Sequence, residues 1–91
     1  MTRLVIVEGP KRGTLFEVAE GGMVGRAPDC QVHLDGRRLS RHHAKLEKRP
    51  EGVALIDAGS RNGVFVNGKK VSEAILNRDD EIEIGEFILV Y

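Results

Sequence analysis

The chain has 91 residues, 41% of them hydrophobic and 31% charged, with 14 Lys plus Arg against 14 Asp plus Glu. That length suits one small folded domain over residues 1–91 and leaves no room for a separate catalytic or cofactor domain. A formal net charge of zero and an aromatic content of 4% argue against bulk attraction to nucleic acid or to an anionic membrane, and against an aromatic platform for stacking bases.

Along the chain, Leu4 to Val7 is a short apolar run. Thr14 to Val18 is rich in strand formers and follows the Gly9–Gly13 turn segment. Met23-Val24 follows Gly21-Gly22, and Gln31 to Leu34 alternates polar and apolar residues. Ala44 to Lys48 alternates again and stops near Pro50, and Val53 to Ile56 reads as a buried run. Val64 to Val66 leads into Asn67-Gly68, the strongest short hairpin signal. Glu81 to Ile84 alternates with period two, and Phe87 to Tyr91 closes the chain as a last strand. The 11 glycines leave few stretches long enough for an ordinary helix of ~11 residues. One segment, 69–84, has no Gly or Pro, and Val71, Ala74 and Ile75 in it share helical spacing. The polar cluster Asn77 to Asp80 and the strand-spaced Ile82 and Ile84 favour the strand reading there. Many short segments separated by turns predict an all-β sandwich.

The single cysteine, Cys30, excludes an intrachain disulfide, so stability is expected to come from the core and the compartment to be reducing. The longest apolar run is far short of the ~18 residues of a membrane span. The N-terminus lacks a basic segment followed by a signal core. These features predict a cytoplasmic domain, whether alone or within a longer protein.

Three clusters carry unusual chemistry: Gly25-Arg26; Arg37-Arg38-Leu39-Ser40-Arg41-His42-His43; and Asp57 to Gly63, running on to Gly68. Loops rich in Arg, Ser and Asn on a strand scaffold look like a binding edge. Together the clusters resemble the forkhead-associated (FHA) domain family. Gly25-Arg26 comes first, Ser40-Arg41-His42-His43 fits its S-x-x-H element, and Gly59-Ser60-Arg61-Asn62-Gly63 fits G-S-x-N-G. Val66-Asn67-Gly68 and the Asp79-to-Ile82 ending follow in the same order. Each motif alone is weak, and the ordered set covers nearly the whole chain.

The resemblance implies a two-sheet antiparallel β-sandwich of about ten or eleven strands that binds phosphothreonine peptides. It places Arg26 and Ser40 on the phosphate, with Arg41 and Arg61 as further phosphate contacts. It also implies that Asn62 bonds the peptide main chain beyond the phosphoresidue and that Arg38 reads the third residue after it. Gly25, His43 and Gly63 become structural braces of the loops. The residue types suit that task, because a phosphate dianion prefers a guanidinium fork plus neutral donors. The implied partner is a Ser/Thr-kinase substrate or a phosphorylated segment of the same longer chain, bound by a monomer with no cofactor, no metal and no enzymatic activity. Two positions depart from the family pattern. Val64 stands where Thr often follows the Asn-Gly pair, and Arg61 stands where a small polar residue is common, which bears on fine specificity.

Rival readings fare worse. A Ser–His hydrolase lacks the G-x-S-x-G elbow, because Ser60 directly follows Gly59. A metal set from His33, His42 and His43 fails on spacing, since adjacent side chains of a strand point to opposite faces. The serious alternative keeps the fold and uses it for phospho-independent association or self-association.

Overall fold

The computed structural model describes residues 2–18 and 21–91. Its strands are β1 (Thr2–Glu8), β2 (Leu15–Val18), β3 (Gly22–Gly25), β4 (Val32–His33), β5 (Ala44–Arg49), β6 (Gly52–Asp57), β7 (Val64–Val66), β8 (Lys69–Val71), β9 (Glu73–Ile75), β10 (Glu81–Ile84) and β11 (Phe87–Val90). No helix occurs among the described residues. The strands form a six-stranded sheet in the order β2-β1-β11-β10-β7-β8 and a five-stranded sheet in the order β4-β3-β5-β6-β9. Neighbours pair antiparallel wherever their register is defined, except β3 and β4, which run parallel.

Alternation along the strands builds the sandwich. In β10, Ile82 and Ile84 are buried while Glu81 and Glu83 face solvent. β1 turns Leu4 and Ile6 inward, β11 turns Phe87 and Leu89, and β5 turns Ala44 and Leu46. These side chains meet Val24, Val32, Leu34 and Leu55 in one cluster between the sheets. Each fully buried Val, Leu, Ile or Phe contributes roughly 1.5–3 kcal/mol relative to exposure. That core is what holds the loops, because the described residues contain no disulfide and Cys30 is free.

The Asn67-Gly68 hairpin forms as its sequence predicts. Val66 pairs with Lys69, and the two turn residues take φ of 52° and 82°, the left-handed pair of a type I′ turn. Asn67 also does more than turn. Its Nδ2 donates to Asp80 Oδ1 at 2.9 Å, and its Oδ1 accepts the Glu81 N–H at 3.0 Å. Asp80 is itself buried, and its second oxygen accepts the Asn77 N–H at 2.7 Å.

Segment 69–84 is strand, turn and strand rather than helix. β8 pairs with β7 in one sheet, and β9, one residue later, pairs with β6 in the other. Ser72 is the crossing point, and its carbonyl accepts the Asp57 N–H at 2.9 Å. The helical spacing of Val71, Ala74 and Ile75 arises from this switch. Val71 pairs with Val64 on one sheet, while Ala74 and Ile75 pair with Leu55 and Ala54 on the other. Long-range pairing overrides a weak local pattern here.

Candidate functional site

Four loops meet at one end of the sandwich: 26–31 after β3, 34–43 between β4 and β5, 58–63 between β6 and β7, and the tight 85–86 turn between β10 and β11. Backbone bonds tie the first two together. Arg26 N–H donates to the Ser40 carbonyl at 3.1 Å, and Ala27 N–H donates to the Arg41 carbonyl at 3.0 Å. This crossing explains Gly25, because a Cβ there would collide with the Arg41 carbonyl oxygen. The close approach is between two loops of the site.

His43 has no exposed surface and joins two loops. Ser40 N–H points at its Nδ1 (3.0 Å), and the Gly63 carbonyl lies 2.8 Å from its Nε2. A backbone N–H can only donate and a carbonyl can only accept, so Nδ1 is the acceptor and Nε2 carries the proton. His42, next to it, is exposed. His43 thus ties the Ser40 backbone to the Gly63 carbonyl.

The phosphate candidates come together. Arg26, Arg37, Arg38, Leu39, Ser40, Arg41, Arg61 and Asn62 line one depression of about 300 Å³. Five guanidinium-bearing side chains and no carboxylate make it a strongly anion-seeking surface. Arg26 is positioned through Nε, which donates to the Leu39 carbonyl at 3.2 Å. That leaves the two terminal nitrogens of the fork for a ligand. Ser40 Oγ accepts the Arg61 N–H at 3.0 Å, so its own proton is free to be donated elsewhere. The side chains of Arg38, Arg41 and Arg61 are exposed at the rim.

The third loop is ordered by its own side chains. Asp57 Oδ1 accepts the Ser60 N–H at 2.7 Å, and Ser60 Oγ accepts the Gly63 N–H at 3.0 Å, a local turn chemistry typical of Asp and Ser. Asn62 is less free than the resemblance suggests. Its Nδ2 already donates one N–H to the Arg38 carbonyl at 2.9 Å, leaving Oδ1 and the second Nδ2 hydrogen for other partners.

Glu86, which no motif in the sequence singles out, also belongs to the candidate site. Its carboxylate accepts the Arg37 N–H at 2.7 Å and the Arg38 N–H at 3.1 Å. The arginine loop is therefore clamped to the β10–β11 turn, with Gly36 close against the same carboxylate. Burial alone would raise the Glu86 carboxyl. The backbone N–H groups of Glu86, Arg38 and Arg37 outweigh it and hold the carboxyl below its ordinary range. Nothing in the sequence joins Glu86 to residues 48 and 49 positions earlier; only the strand order brings them together.

The remaining histidines do not gather as a trio. His33 Nε2 lies 3.0 Å from the Arg26 carbonyl and His43 is buried in its brace, so His33, His42 and His43 each serve different neighbours.

A family model described as FHA domain matches residues 22–85. The chain is 37% identical over 89 residues to the oxoglutarate dehydrogenase inhibitor of Corynebacterium jeikeium, covering 97% of this chain and 62% of that protein. It is also 37% identical over 89 residues to the glycogen accumulation regulator GarA of Mycobacterium tuberculosis, covering 97% and 55%. The chain thus spans less than two thirds of the length of these curated relatives. A solved structure described for phosphothreonine-dependent FHA domain interactions superposes with a TM-score of 0.85 at 27% identity, covering 98% of this chain and 94% of the other. With the matched model covering more than half of the chain, the protein belongs to the FHA domain family.

Proposed function

We propose that this domain is a phosphothreonine-dependent binding module of Ser/Thr-kinase signalling. It takes an extended peptide across the loop end of the sandwich and carries out no chemistry of its own. The observation that carries the reading is the pairing of Arg26 with Ser40. The Arg26 fork is steered by its Nε bond to Leu39, beside a Ser40 hydroxyl whose acceptor side is already used by Arg61. Such a pair offers a phosphate two fork N–H groups and one O–H without reorganisation, and charge-assisted bonds of this kind are the strong ones. Arg41 and Arg61 add charge at the rim, and Asn62 Oδ1 is placed to fix the peptide backbone.

The partner is a phosphorylated substrate of a Ser/Thr kinase, or a phosphorylated segment of the same longer chain. The domain acts as a monomer in the cytoplasm, and its phosphopeptide binding uses no metal, cofactor, nucleic acid or membrane. Arg38 adds a preference for an acidic residue three positions beyond the phosphothreonine. Its backbone is clamped on both sides, by Glu86 at the N–H and by Asn62 at the carbonyl, so its exposed side chain starts from a fixed point.

Fluorescence anisotropy with a degenerate phosphothreonine peptide library tests the reading. Wild type should bind, and Arg26→Ala and Ser40→Ala should each weaken binding. Arg26→Ala should have the larger effect, about 10–100-fold for ~1.5–3 kcal/mol. Unchanged affinity in Arg26→Ala would place the ligand elsewhere.

A further inference from the structure

Apart from the residues that line the candidate phosphate site, three side chains from two loops converge. Asp29, Cys30 and His42 bring a carboxylate oxygen, the thiol sulfur and a ring nitrogen to within 4.8 Å of one another. His42 Nε2 lies 3.3 Å from both Asp29 oxygens. Cys30 is only 7% exposed, and its Sγ sits 3.4 Å from the Arg41 carbonyl. The proposed phosphate site uses none of these three side chains.

The scaffold beneath them is firm. Cys30 N–H closes a turn onto the Ala27 carbonyl at 3.1 Å. The two loops are sewn together by the Ala27-to-Arg41 bond at 3.0 Å and the His43-to-Val24 bond at 2.8 Å. The sulfur is therefore held in the wall, while Asp29 and His42 are exposed at the surface.

We propose that Asp29, Cys30 and His42 form a binding site for one divalent cation of the zinc class. The donor set carries the choice of metal. Mixed sulfur, nitrogen and oxygen ligands suit zinc, whereas calcium and magnesium take oxygen ligands alone. Three protein ligands leave a fourth position open to water, the pattern of accessible zinc sites. The spacing fits after a small adjustment. With bonds of about 2.0–2.3 Å, tetrahedral ligand atoms stand roughly 3.3–3.8 Å apart. The His42–Asp29 separation already has that value, and the sulfur lies within 4.8 Å of both, a remaining gap of about 1 Å that rotation of the two exposed side chains would have to close. Binding replaces the Cys30 S–H bond with a metal–sulfur bond and releases the proton to solvent.

The competing account is a packed cysteine beside an exposed His–Asp pair, with no affinity for metal. Cobalt titration of reduced, tag-free protein separates the two. The site requires a thiolate-to-cobalt charge-transfer band in the near ultraviolet that saturates at one equivalent per chain and is bleached by zinc. Cys30→Ser should abolish the band. His42→Ala and Asp29→Asn, both at exposed positions that leave the core untouched, should each weaken cobalt binding at least tenfold. Absence of the band in wild type overturns the proposal. So does a band that is unchanged in both His42→Ala and Asp29→Asn, since the metal would then be on the thiol alone. The readout needs no phosphopeptide, so its outcome is independent of the proposed function.

Discussion

Replacing His43 with alanine removes the buried side chain that bonds both the Ser40 loop and the Gly63 loop. The truncation leaves the Ser40 N–H without its acceptor at 3.0 Å and the Gly63 carbonyl without its donor at 2.8 Å. Both groups face the space vacated by a fully buried ring. An unpaired buried polar group costs ~1–3 kcal/mol. Two of them, partly relieved by water entering the polar cavity, give an expected loss of about 2–5 kcal/mol. In a domain of this size each kcal/mol lowers Tm by roughly 4–8 °C, so the fall should reach about 10 °C or more. Phosphopeptide affinity should fall as well, because Ser40 and Asn62 lose their fixed positions. His42→Ala is the matched control. It changes an adjacent but exposed histidine and should stay within about 0.5 kcal/mol of wild type. Urea unfolding of the three metal-free proteins, with binding measured where each is folded, gives both quantities. A loss below about 1 kcal/mol for His43→Ala, or one no larger than that of His42→Ala, refutes the bracing argument.

Other perturbations follow from the same geometry. Glu86 has a carboxyl held below its ordinary value, so its stabilisation is complete above the unfolded value and is lost as pH falls through the lower folded one. Wild type should therefore lose melting temperature through this group as pH falls below the ordinary glutamate value. Glu86→Gln should show a shallower slope, and identical slopes would remove Glu86 from the account. Phosphothreonine should bind more tightly than phosphoserine in the same peptide, by about 0.8 kcal/mol for one buried methyl group; competition binding that ranks them equal contradicts the resemblance at this pocket. On a peptide array, wild type should prefer Asp or Glu three residues beyond the phosphothreonine by ~0.2–1 kcal/mol. Arg38→Ala should lose that preference, and its survival would transfer the role to Arg37 or Arg41.

Most strands were legible because a strand half-buried against one core must alternate, and Glu81 to Ile84 and Ala44 to Lys48 do so without ambiguity. Gly25, Arg26, Ser40, His43, Asn62 and Gly63 were legible as a set because each sits in a short motif of fixed order. What stayed hidden depends on contacts between distant segments. The switch of β8 and β9 between sheets at Ser72 imitates helical spacing. The clamp of Glu86 on Arg37 and Arg38 exists only because the β10–β11 turn lies under their loop. Asp29 and Cys30 gain His42 as a neighbour only through the crossing at Gly25. The Arg26 Nε bond to Leu39, which aims the fork, has no sequence signature either.

The central claim is that binding depends on the phosphate and is delivered through Arg26 and Ser40. Isothermal titration calorimetry with one library-selected phosphothreonine peptide and its unphosphorylated twin tests it most directly. The account predicts saturable one-to-one binding of the phosphopeptide near micromolar affinity and at least ~100-fold weaker binding of the twin, since two or more charge-assisted bonds of ~1.5–3 kcal/mol are at stake. Equal affinity for the two peptides would contradict it.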